Sequence, residues 1–296
     1  MSLPSRTAGI LLVSASAVAY STAGFFTRLI PLDAWTILFW RGVFAGVFIA
    51  ACFVAMERRR ASAIFDIRGP GLVVALCSGL ATILFINAFR RTSVADVVIL
   101  FATAPFMTAA ISRVFYGVRE SRVTLIASAA ALIGVVVMMG GAGTSRHLIG
   151  DLLALAVAVL MAIMMVIVRA HRDTPMLPAA SLSAFLCAVL VLPVAAPLRV
   201  SGNDMVLLFL FGVTQFGLGL LLLTLGTRLV SATESALINT LEVPLAALWV
   251  WLAFSEIPAW TTVIGGVIVV AAVVANIAAP RYWNPAATAL PSESRS

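Results

Sequence analysis

The chain has no lysine, two histidines and three cysteines, and only 10% of its 296 residues are charged. Soluble domains have about 25% charged residues, so this scarcity of charge excludes an ordinary water-soluble fold. Apolar residues are abundant instead: 62% of the residues are hydrophobic and the mean hydropathy is +1.11. No soluble fold of this length could bury so much apolar surface, so we predict an integral membrane protein.

The rarer residue types also limit the chemistry. Cys52, Cys77 and Cys187 lie in apolar runs without C-x-x-C spacing, which indicates neither a disulfide framework nor a zinc site. His147 and His171 fall in predicted loops, and no zinc-protease, paired-aspartate or nucleophile-base motif is present. The sequence has no Walker motif either, so it indicates no nucleotide site. We therefore predict no enzyme activity, no cofactor and no metal.

Ten stretches are apolar enough to cross the hydrocarbon core, which takes about 20 residues of helix. The breaks between them carry turn residues or charge. We predict an all-α membrane protein of ten transmembrane helices. These predicted spans, one to ten, lie at 8–27, 34–55, 70–89, 94–115, 123–141, 150–169, 179–198, 205–226, 231–254 and 260–279.

The 19 basic residues are all arginine, and they lie between the apolar stretches instead of in one block. That distribution is typical of membrane topology and not of nucleic-acid binding. With the N-terminus in the cytoplasm, thirteen arginines lie inside, Arg41 lies within the membrane and five lie outside. The positive-inside rule therefore predicts that both termini are cytoplasmic, with 280–296 as a disordered cytoplasmic tail. The outer five are Arg28, Arg90, Arg91, Arg146 and Arg199.

The sequence repeats itself at an offset of about 140 residues. The matches carry weight because they involve glycine, arginine, serine and proline in consistent order, and not only the abundant alanine and leucine. They pair Gly9 and Arg28 with Gly150 and Arg169, Gly79, Arg90 and Ser93 with Gly217, Arg228 and Ser231, and Pro105 with Pro244. We infer a duplication, with the first five-helix copy at 1–141 and the second at 142–279.

An odd number of spans in each copy forces the second copy to enter the membrane upside down. The charges agree, because the loop at 56–69 carries four arginines and its counterpart between spans seven and eight carries only Arg199. Two inverted halves can exchange conformations, so that a site between them opens alternately to each side. The plan favours a transporter over an anchor. The four arginines are Arg58, Arg59, Arg60 and Arg68.

Polar side chains within the spans are candidate functional groups, because they are costly in lipid. Two stripes, each on one helical face, lie at an offset of 139 residues. They would place a binding site on the axis that relates the two halves, although each residue could instead make an ordinary interhelical hydrogen bond. The stripes are Ser235, Asn239 and Glu242 in span nine, and Asp96, Leu100 and Thr103 in span four.

Each of these two spans also contains a central proline, Pro105 or Pro244. A proline removes one backbone hydrogen bond of a helix, so we predict a hinge at each position. The carbonyls one turn back, near Phe101 and Thr240, are then expected to be free for substrate or water. A static kink is the alternative.

Glu242 lies about eleven residues, or roughly 16 Å, into span nine. It is expected to couple protons, to bind a substrate amine, or to form a structural ion pair with Arg41, which lies about 12 Å into span two. Asp96 and Glu234 are nearer the starts of their spans, where a carboxylate can cap a helix N-terminus.

Further side chains complete the predicted cavity. An apolar cavity with a few amide and hydroxyl groups suits an aromatic or aliphatic amino acid better than a polyanion. The methionines among them could form an adaptable wall or simply pack. The set is Tyr20 and Ser21 in span one, Phe85 and Asn87 in span three, Met161 and Met165 in span six, and Gln215 in span eight.

Several motifs resemble the EamA-type drug/metabolite transporters. They are Gly150 to Leu155 (GDLLAL), Arg41 directly after Trp40, and the run from Ser231 through Pro244 to Glu256. The resemblance covers all ten spans. Two departures are Ser255-Glu256, where the family usually has Gly-Glu, and Val118-Arg119-Glu120 in the first half. Within the family the chain looks most like the YddG-type exporters of aromatic and other amino acids.

The resemblance implies a bacterial inner-membrane exporter with a cavity walled by spans one, three, four, six, eight and nine. We expect a secondary or facilitative transporter that works by alternating access. Its expected partners are a small-molecule substrate and the lipid bilayer, without nucleic acid, and we expect a monomer. The alternatives are a carrier for other metabolites or drugs, and a membrane receptor or scaffold that transports nothing.

Overall fold

The computed structural model describes residues 5–57, 67, 69–92, 94–140, 148–172, 174, 176–255 and 257–279. Every regular element in these ranges is a helix, which confirms the all-helical prediction for the described residues. The helices are α1 (Ser5–Ser21), α2 (Ala23–Leu29), α3 (Ala34–Met56), α4 (Pro70–Phe89), α5 (Val94–Phe101), α6 (Ala104–Tyr116), α7 (Arg122–Met138), α8 (Leu148–Ala170), α9 (Leu177–Val191), α10 (Gly202–Leu210), a π-helix (Phe211–Gly217), α11 (Leu218–Thr227), α12 (Ala232–Asn239), α13 (Glu242–Phe254) and α14 (Trp260–Ala278).

Some predictions lie outside the described residues. They are the 280–296 tail, Arg58 to Arg60, Arg68, Ser93, Arg146, His147 and Glu256.

Length and apolar character make this a multi-pass membrane protein. Seven helical stretches are long and apolar enough to cross a bilayer, and three shorter helices are also apolar. Large apolar side chains such as Ile126, Leu152 and Val267 are exposed on the outer surface of the bundle, where lipid would contact them. The seven are Ser5–Leu29, Ala34–Met56, Asp96–Tyr116, Leu148–Ala170, Gly202–Thr227, Ala232–Phe254 and Trp260–Ala278, and the three are Pro70–Phe85, Arg122–Met138 and Leu177–Val191.

Local chemistry sets several helix ends. The Asp33 carboxylate accepts hydrogen bonds from the backbone N–H groups of Trp35 and Thr36, both at 3.0 Å, and so caps α3. The hydrogen bond with the Thr36 side chain is the main cause that lowers the pKa of Asp33. Gly117, with a φ of +66°, ends α6 in the left-handed conformation that glycine adopts readily.

The seventh predicted span, 179–198, was too long. Helix α9 ends at Val191. Pro193 and Pro197 lack the backbone N–H that a continuing helix needs. The indole of Trp40 donates instead to the carbonyl of Pro197, at 3.2 Å.

Four predicted spans are interrupted or distorted. The breaks between α5 and α6 at 102–103 and between α12 and α13 at 240–241 lie just before Pro105 and Pro244. The break at Thr22 in the first span and the π-helix in the eighth have no proline, and sequence reasoning missed both.

The helices pack in long pairs: α7 lies on α14, α3 on α9, α4 on α8 and α1 on α11. Glycines permit the closest approaches, as is common in membrane helices. A Cβ on Gly42 would lie 2.6 Å from the carbonyl oxygen of Ala184, and one on Gly46 would lie 2.8 Å from the ring of Phe185. The G-x-x-x-G of α3 therefore packs against α9 of the same chain.

Candidate substrate-binding site

Four polar residues lie around Tyr20 inside the bundle. The Gln215 amide donates to the backbone carbonyl of Tyr20, at 3.3 Å. The Tyr20 side chain is close enough to interact electrostatically with both Arg41 and Glu242. The Asn239 amide donates to Glu242, at 3.4 Å. We call Tyr20, Arg41, Gln215, Asn239 and Glu242 the polar cluster; each was predicted as a site residue, or in the case of Arg41 as an ion-pair partner.

The close packing of α1 on α11 places Tyr20. A Cβ on Gly219 would lie 3.0 Å from the Tyr20 ring, so the glycine lets the ring lie this close to α11 without displacement. The Ser16 hydroxyl donates to the Gly219 carbonyl at 2.8 Å and fixes the same contact one turn earlier in α1. The two contacts direct the Tyr20 ring towards α11.

The π-helix places two aromatic rings beside Arg41. The guanidinium carbon of Arg41 lies 4.5 Å from the ring centre of Phe216 and 5.7 Å from that of Phe211. Such cation–π contacts stabilise an arginine away from water. A Cβ on Gly212 would lie 2.7 Å from Phe44 Cβ, so this glycine lets the π-helix approach α3. Single-turn π segments occur often at functional sites.

The predicted ion pair between Arg41 and Glu242 is not formed in this structure, in which both residues are described. The guanidinium packs against the two phenylalanine rings, and the Glu242 carboxylate accepts from Asn239. Both charged groups are thus held by other neighbours. The predicted depths of the two residues matched, but depth alone does not set the direction in which each side chain points.

The polar cluster and its neighbour Ser235 contain buried polar atoms without a hydrogen-bond partner in the described structure. They are Arg41 Nε, Gln215 Oε1, Ser235 Oγ and Asn239 Oδ1. Buried polar atoms are nearly always hydrogen-bonded in proteins, because an unmade bond costs about 1–3 kcal/mol. A polar molecule bound at this place would gain those bonds.

Ser21 makes a different contact from the one predicted. Its hydroxyl accepts a hydrogen bond from the indole of Trp249 at 2.9 Å and lies 2.7 Å from the Val18 carbonyl. It therefore bridges α1 and α13 instead of presenting a free hydroxyl. Trp249 was not predicted, because a tryptophan in an apolar helix gives no sign of the partner that its N–H will find.

The candidates in the first half have mainly local contacts. The rings of Phe85 and Phe101 lie 6.1 Å apart, and Phe85 and Leu100 pack on one apolar cluster with Ala154. The Asn87 amide donates to the Ile83 carbonyl of its own helix, at 2.9 Å.

Asp96 lies in another polar contact, at the turn between α4 and α5. The Thr92 hydroxyl is 3.2 Å from Asp96 Oδ2 and 2.7 Å from Asp151 Oδ1, so it links this turn to α8. The two methionines of α8 pack: Met165 is buried in the main apolar core, and Met161 lies partly buried against it.

The two helix breaks, at 102–103 and 240–241, correspond at an offset of 138 residues, not 139. The Thr103 hydroxyl donates to the Leu100 carbonyl and the Thr240 hydroxyl donates to the Leu237 carbonyl, both at 2.6 Å. By these hydrogen bonds Thr103 is the counterpart of Thr240, at an offset of 137, and not of Glu242 as the predicted stripes had it. The Thr240 carbonyl accepts from Val243 N at 3.2 Å, so the prediction that it is free was wrong.

An ion pair that the sequence did not predict joins the two halves at the start of α1. Arg6 Nη2 lies 2.8 Å from Glu234 Oε1, and the Asn276 amide lies 3.4 Å from the same oxygen. Glu234 does not cap α12, because the Ser231 hydroxyl already accepts from the Glu234 backbone N–H, at 3.1 Å. The S-x-x-E spacing of 231–234 could have indicated the serine cap.

More hydrogen bonds surround this ion pair at the same end of the bundle. Ser231 lies 3.2 Å from Glu120, Arg169 donates to the Arg228 carbonyl, and Arg228 donates to the Arg172 carbonyl. In the described part of the chain, no three histidine, cysteine or acidic side chains converge as metal ligands.

Comparison with known proteins agrees with this architecture. The chain matches the EamA-like transporter family twice, over residues 7–140 and 148–278. A solved crystal structure of a protein that is 16% identical has a similar fold, with a TM-score of 0.77 over 92% of this chain and 97% of that chain. No curated protein matches the chain. Because the two family matches together cover most of its length, this chain belongs to the EamA-like transporter family, a family of drug/metabolite membrane transporters.

Proposed function

We propose that the protein exports small amphipathic metabolites, aromatic and other amino acids first, by secondary or facilitated transport with alternating access. The transporting unit is two inverted five-helix halves, 1–141 and 142–279, in a bacterial inner membrane with both termini in the cytoplasm. The observation that carries this proposal is the polar cluster, which gathers charged and amide groups inside an apolar helical bundle of a transporter family.

The packing of the helices supports the two inverted halves. If each helix is replaced by its counterpart in the other half, the α1–α11 pair becomes the α8–α4 pair, and the α3–α9 and α7–α14 pairs become themselves. All four pairs are in contact in the structure. A two-fold relation between five-helix units has this property. Ten crossings are then needed, so the three shorter apolar helices α4, α7 and α9 also span the bilayer in this proposal.

Two glycine contacts support the same relation at single residues. A Cβ on Gly9 would lie 2.7 Å from Leu229 Cβ and 2.8 Å from Val230 Cγ1. A Cβ on Gly150 would lie 2.6 Å from Thr92 Cβ and 2.8 Å from the backbone of the residue before it. At the offset of 138, Val230 corresponds to Thr92, so both glycines face equivalent turns of the opposite half.

The interrupted helices support alternating access. α5–α6 and α12–α13 break at corresponding positions, and helices of this kind line the binding sites of many secondary transporters. Each proline removes one backbone hydrogen bond, so rotation of one half-helix against the other disturbs the least structure at Pro105 and Pro244. The two prolines are therefore the proposed hinges.

The chemistry of the polar cluster supports amino acids as the first substrate class. It offers amide groups and a carboxylate, and the aromatic rings of Tyr20, Phe211 and Phe216 border it. An aromatic or aliphatic amino acid has both an apolar side chain for the rings and polar groups for the amides.

Uptake into proteoliposomes tests the function and the site together. We expect the purified protein to carry labelled aromatic amino acids in counterflow, and Glu242→Gln and Asn239→Ala to lower the rate about tenfold or more. The reason is that a hydrogen bond to a charged group contributes about 1.5–3 kcal/mol. Measurements with and without a pH gradient distinguish proton coupling from facilitated diffusion.

Asp204→Asn and Asn203→Ala are matched controls for these substitutions, because both residues lie at the start of α10, away from the polar cluster. Their rates should equal that of the wild type. Unchanged rates in Glu242→Gln and Asn239→Ala would contradict the site. Absence of flux for every amino acid and related metabolite tested would contradict the proposed function.

A further inference from the structure

Arg41 is a cation inside an apolar bundle, and it has no ion-pair partner among the described residues. It makes no hydrogen bond or ion pair within the described part of the chain, and its Nε is buried. A lone cation at this depth costs several kcal/mol, and intramembrane arginines are nearly always paired. The aromatic rings offset part of that cost only, because a cation–π contact contributes about 0.5–2 kcal/mol.

The aromatic contacts leave the hydrogen-bonding groups of Arg41 available. A guanidinium meets an aromatic ring with its face or edge, but its five N–H donors lie in its plane in a fixed fork. Phe216 and Phe211 thus hold the group in place without accepting its hydrogen bonds as oxygen atoms would. That fork matches the two oxygens of a carboxylate, which it can bind through two parallel hydrogen bonds.

The polar cluster also contains one acidic side chain, Glu242, and it forms no ion pair with Arg41. Glu242 accepts from Asn239, Arg41 packs on the rings, and Tyr20 interacts with both charges. A site that holds one cation and, apart from it, one acidic side chain complements a zwitterion. A simple amine would leave Arg41 unpaired, and a phosphate dianion would meet one cation beside a carboxylate.

We propose that Arg41 binds the carboxylate of the substrate while Glu242 faces its ammonium group. The substrate class is therefore molecules that carry both groups, and neutral or purely cationic drugs are poor substrates. This inference rests on the proposed transport function and adds to it the residue that selects for a carboxylate. The guanidinium group of Arg41 recognises the carboxylate, and the ring of Phe216 positions that guanidinium.

A comparison of two substrates of nearly the same shape tests the inference. Phenylalanine has the carboxylate, and phenylalaninamide lacks its charge; at about pH 6 both amines are protonated, since an α-amino pKa is about 7.7. We expect the wild type to carry the acid at least about 30-fold faster than the amide in proteoliposomes. Arg41→Gln should lower the rate of the acid by about the same factor and leave the rate of the amide unchanged.

Three further variants separate recognition from folding. Arg28→Gln removes an arginine at the end of α2 and should keep the wild-type preference. Arg41→Lys keeps the charge without the fork and should retain part of the preference. Phe216→Leu keeps Arg41 and removes its nearer ring, so it should weaken the preference even if Arg41→Gln does not fold.

Other transport results would contradict the inference, the proposed function, or both. Equal transport of acid and amide by the wild type overturns the inference, while the proposed function stands. The inference is also overturned if Arg41→Gln slows the transport of acid and amide equally, because that result indicates a structural role. It is overturned as well if Arg41→Gln keeps the wild-type preference for the acid. A wild type that carries no amino acid or related metabolite contradicts the proposed function, and this inference with it.

Discussion

Arg6→Gln is expected to open the Arg6 end of the bundle. The Arg6 guanidinium and the Glu234 carboxylate, 2.8 Å apart, join the start of α1 to the start of α12. Glu234 is only 1% exposed, so removal of Arg6 deprives a buried carboxylate of this cation. Loss of a buried ion-pair partner costs about 3–5 kcal/mol, and since Arg6 is 28% exposed we expect about 2 kcal/mol.

In an alternating-access transporter that free energy shifts the balance between two conformations. About 2 kcal/mol corresponds to roughly a 30-fold change in population. Ser235 is buried directly after Glu234, so a cysteine there reports on opening. We expect Ser235→Cys, without the three native cysteines, to react slowly with a membrane-impermeant thiol reagent in inverted vesicles. Addition of Arg6→Gln should accelerate the reaction about tenfold or more.

The control for this experiment is Arg28→Gln, at the opposite end of the same predicted span. It should leave the labelling rate unchanged. Glu234→Gln should act in the same direction as Arg6→Gln, because it removes the other partner of the ion pair. Equal labelling with and without Arg6 would show that the ion pair does not hold this end closed.

Gly150→Leu is expected to have the largest effect on stability. A Cβ at this position would lie 2.6 Å from Thr92 Cβ and 2.8 Å from the Thr92 backbone nitrogen, and backbone cannot move aside as a flexible side chain can. Insertion of large groups into a close contact costs about 1–3 kcal/mol and sometimes more, so we expect a loss of about 3 kcal/mol or more. Thermal unfolding in detergent, with the yield of monodisperse protein, measures it.

Gly9→Leu should behave in the same way, because Gly9 makes the equivalent contact with Leu229 and Val230. Gly202→Leu is the matched control: no atom lies within 4 Å of the Cβ position, and this glycine also lies near the start of a helix. A Gly150→Leu protein that unfolds at the temperature of Gly202→Leu would show that α8 does not need this close approach.

Much of the second-half site could be predicted from the sequence. Polar residues in an apolar stretch are few, and a helical period places Asn239 and Glu242 on one face without further information. A proline disturbs the helix only near its own position, so the breaks before Pro105 and Pro244 could be predicted from residue type alone.

The remaining features depend on packing that residue type does not encode. The π-helix that places Phe211 and Phe216 beside Arg41 has no sequence signature, so Arg41 was paired with the acid at matching depth. Ser21 and Met165 have suitable side chains for a cavity, but neighbouring helices engage the hydroxyl and bury the thioether. The register of the repeat was one residue off at the breaks because α6 begins one residue before Pro105 and α13 begins two residues before Pro244.

The proposed alternating access and the proposed site between the halves both require that the two halves are inverted. Arg58→Cys and Arg199→Cys, each made in a chain without other cysteines, place one thiol in each of the two corresponding loops. A membrane-impermeant thiol reagent added to intact cells then shows on which side of the membrane each loop lies. We expect the Arg199→Cys protein to react from outside, and the Arg58→Cys protein to react only after the membrane is made permeable. Reaction of both positions from the same side would contradict the inverted duplication.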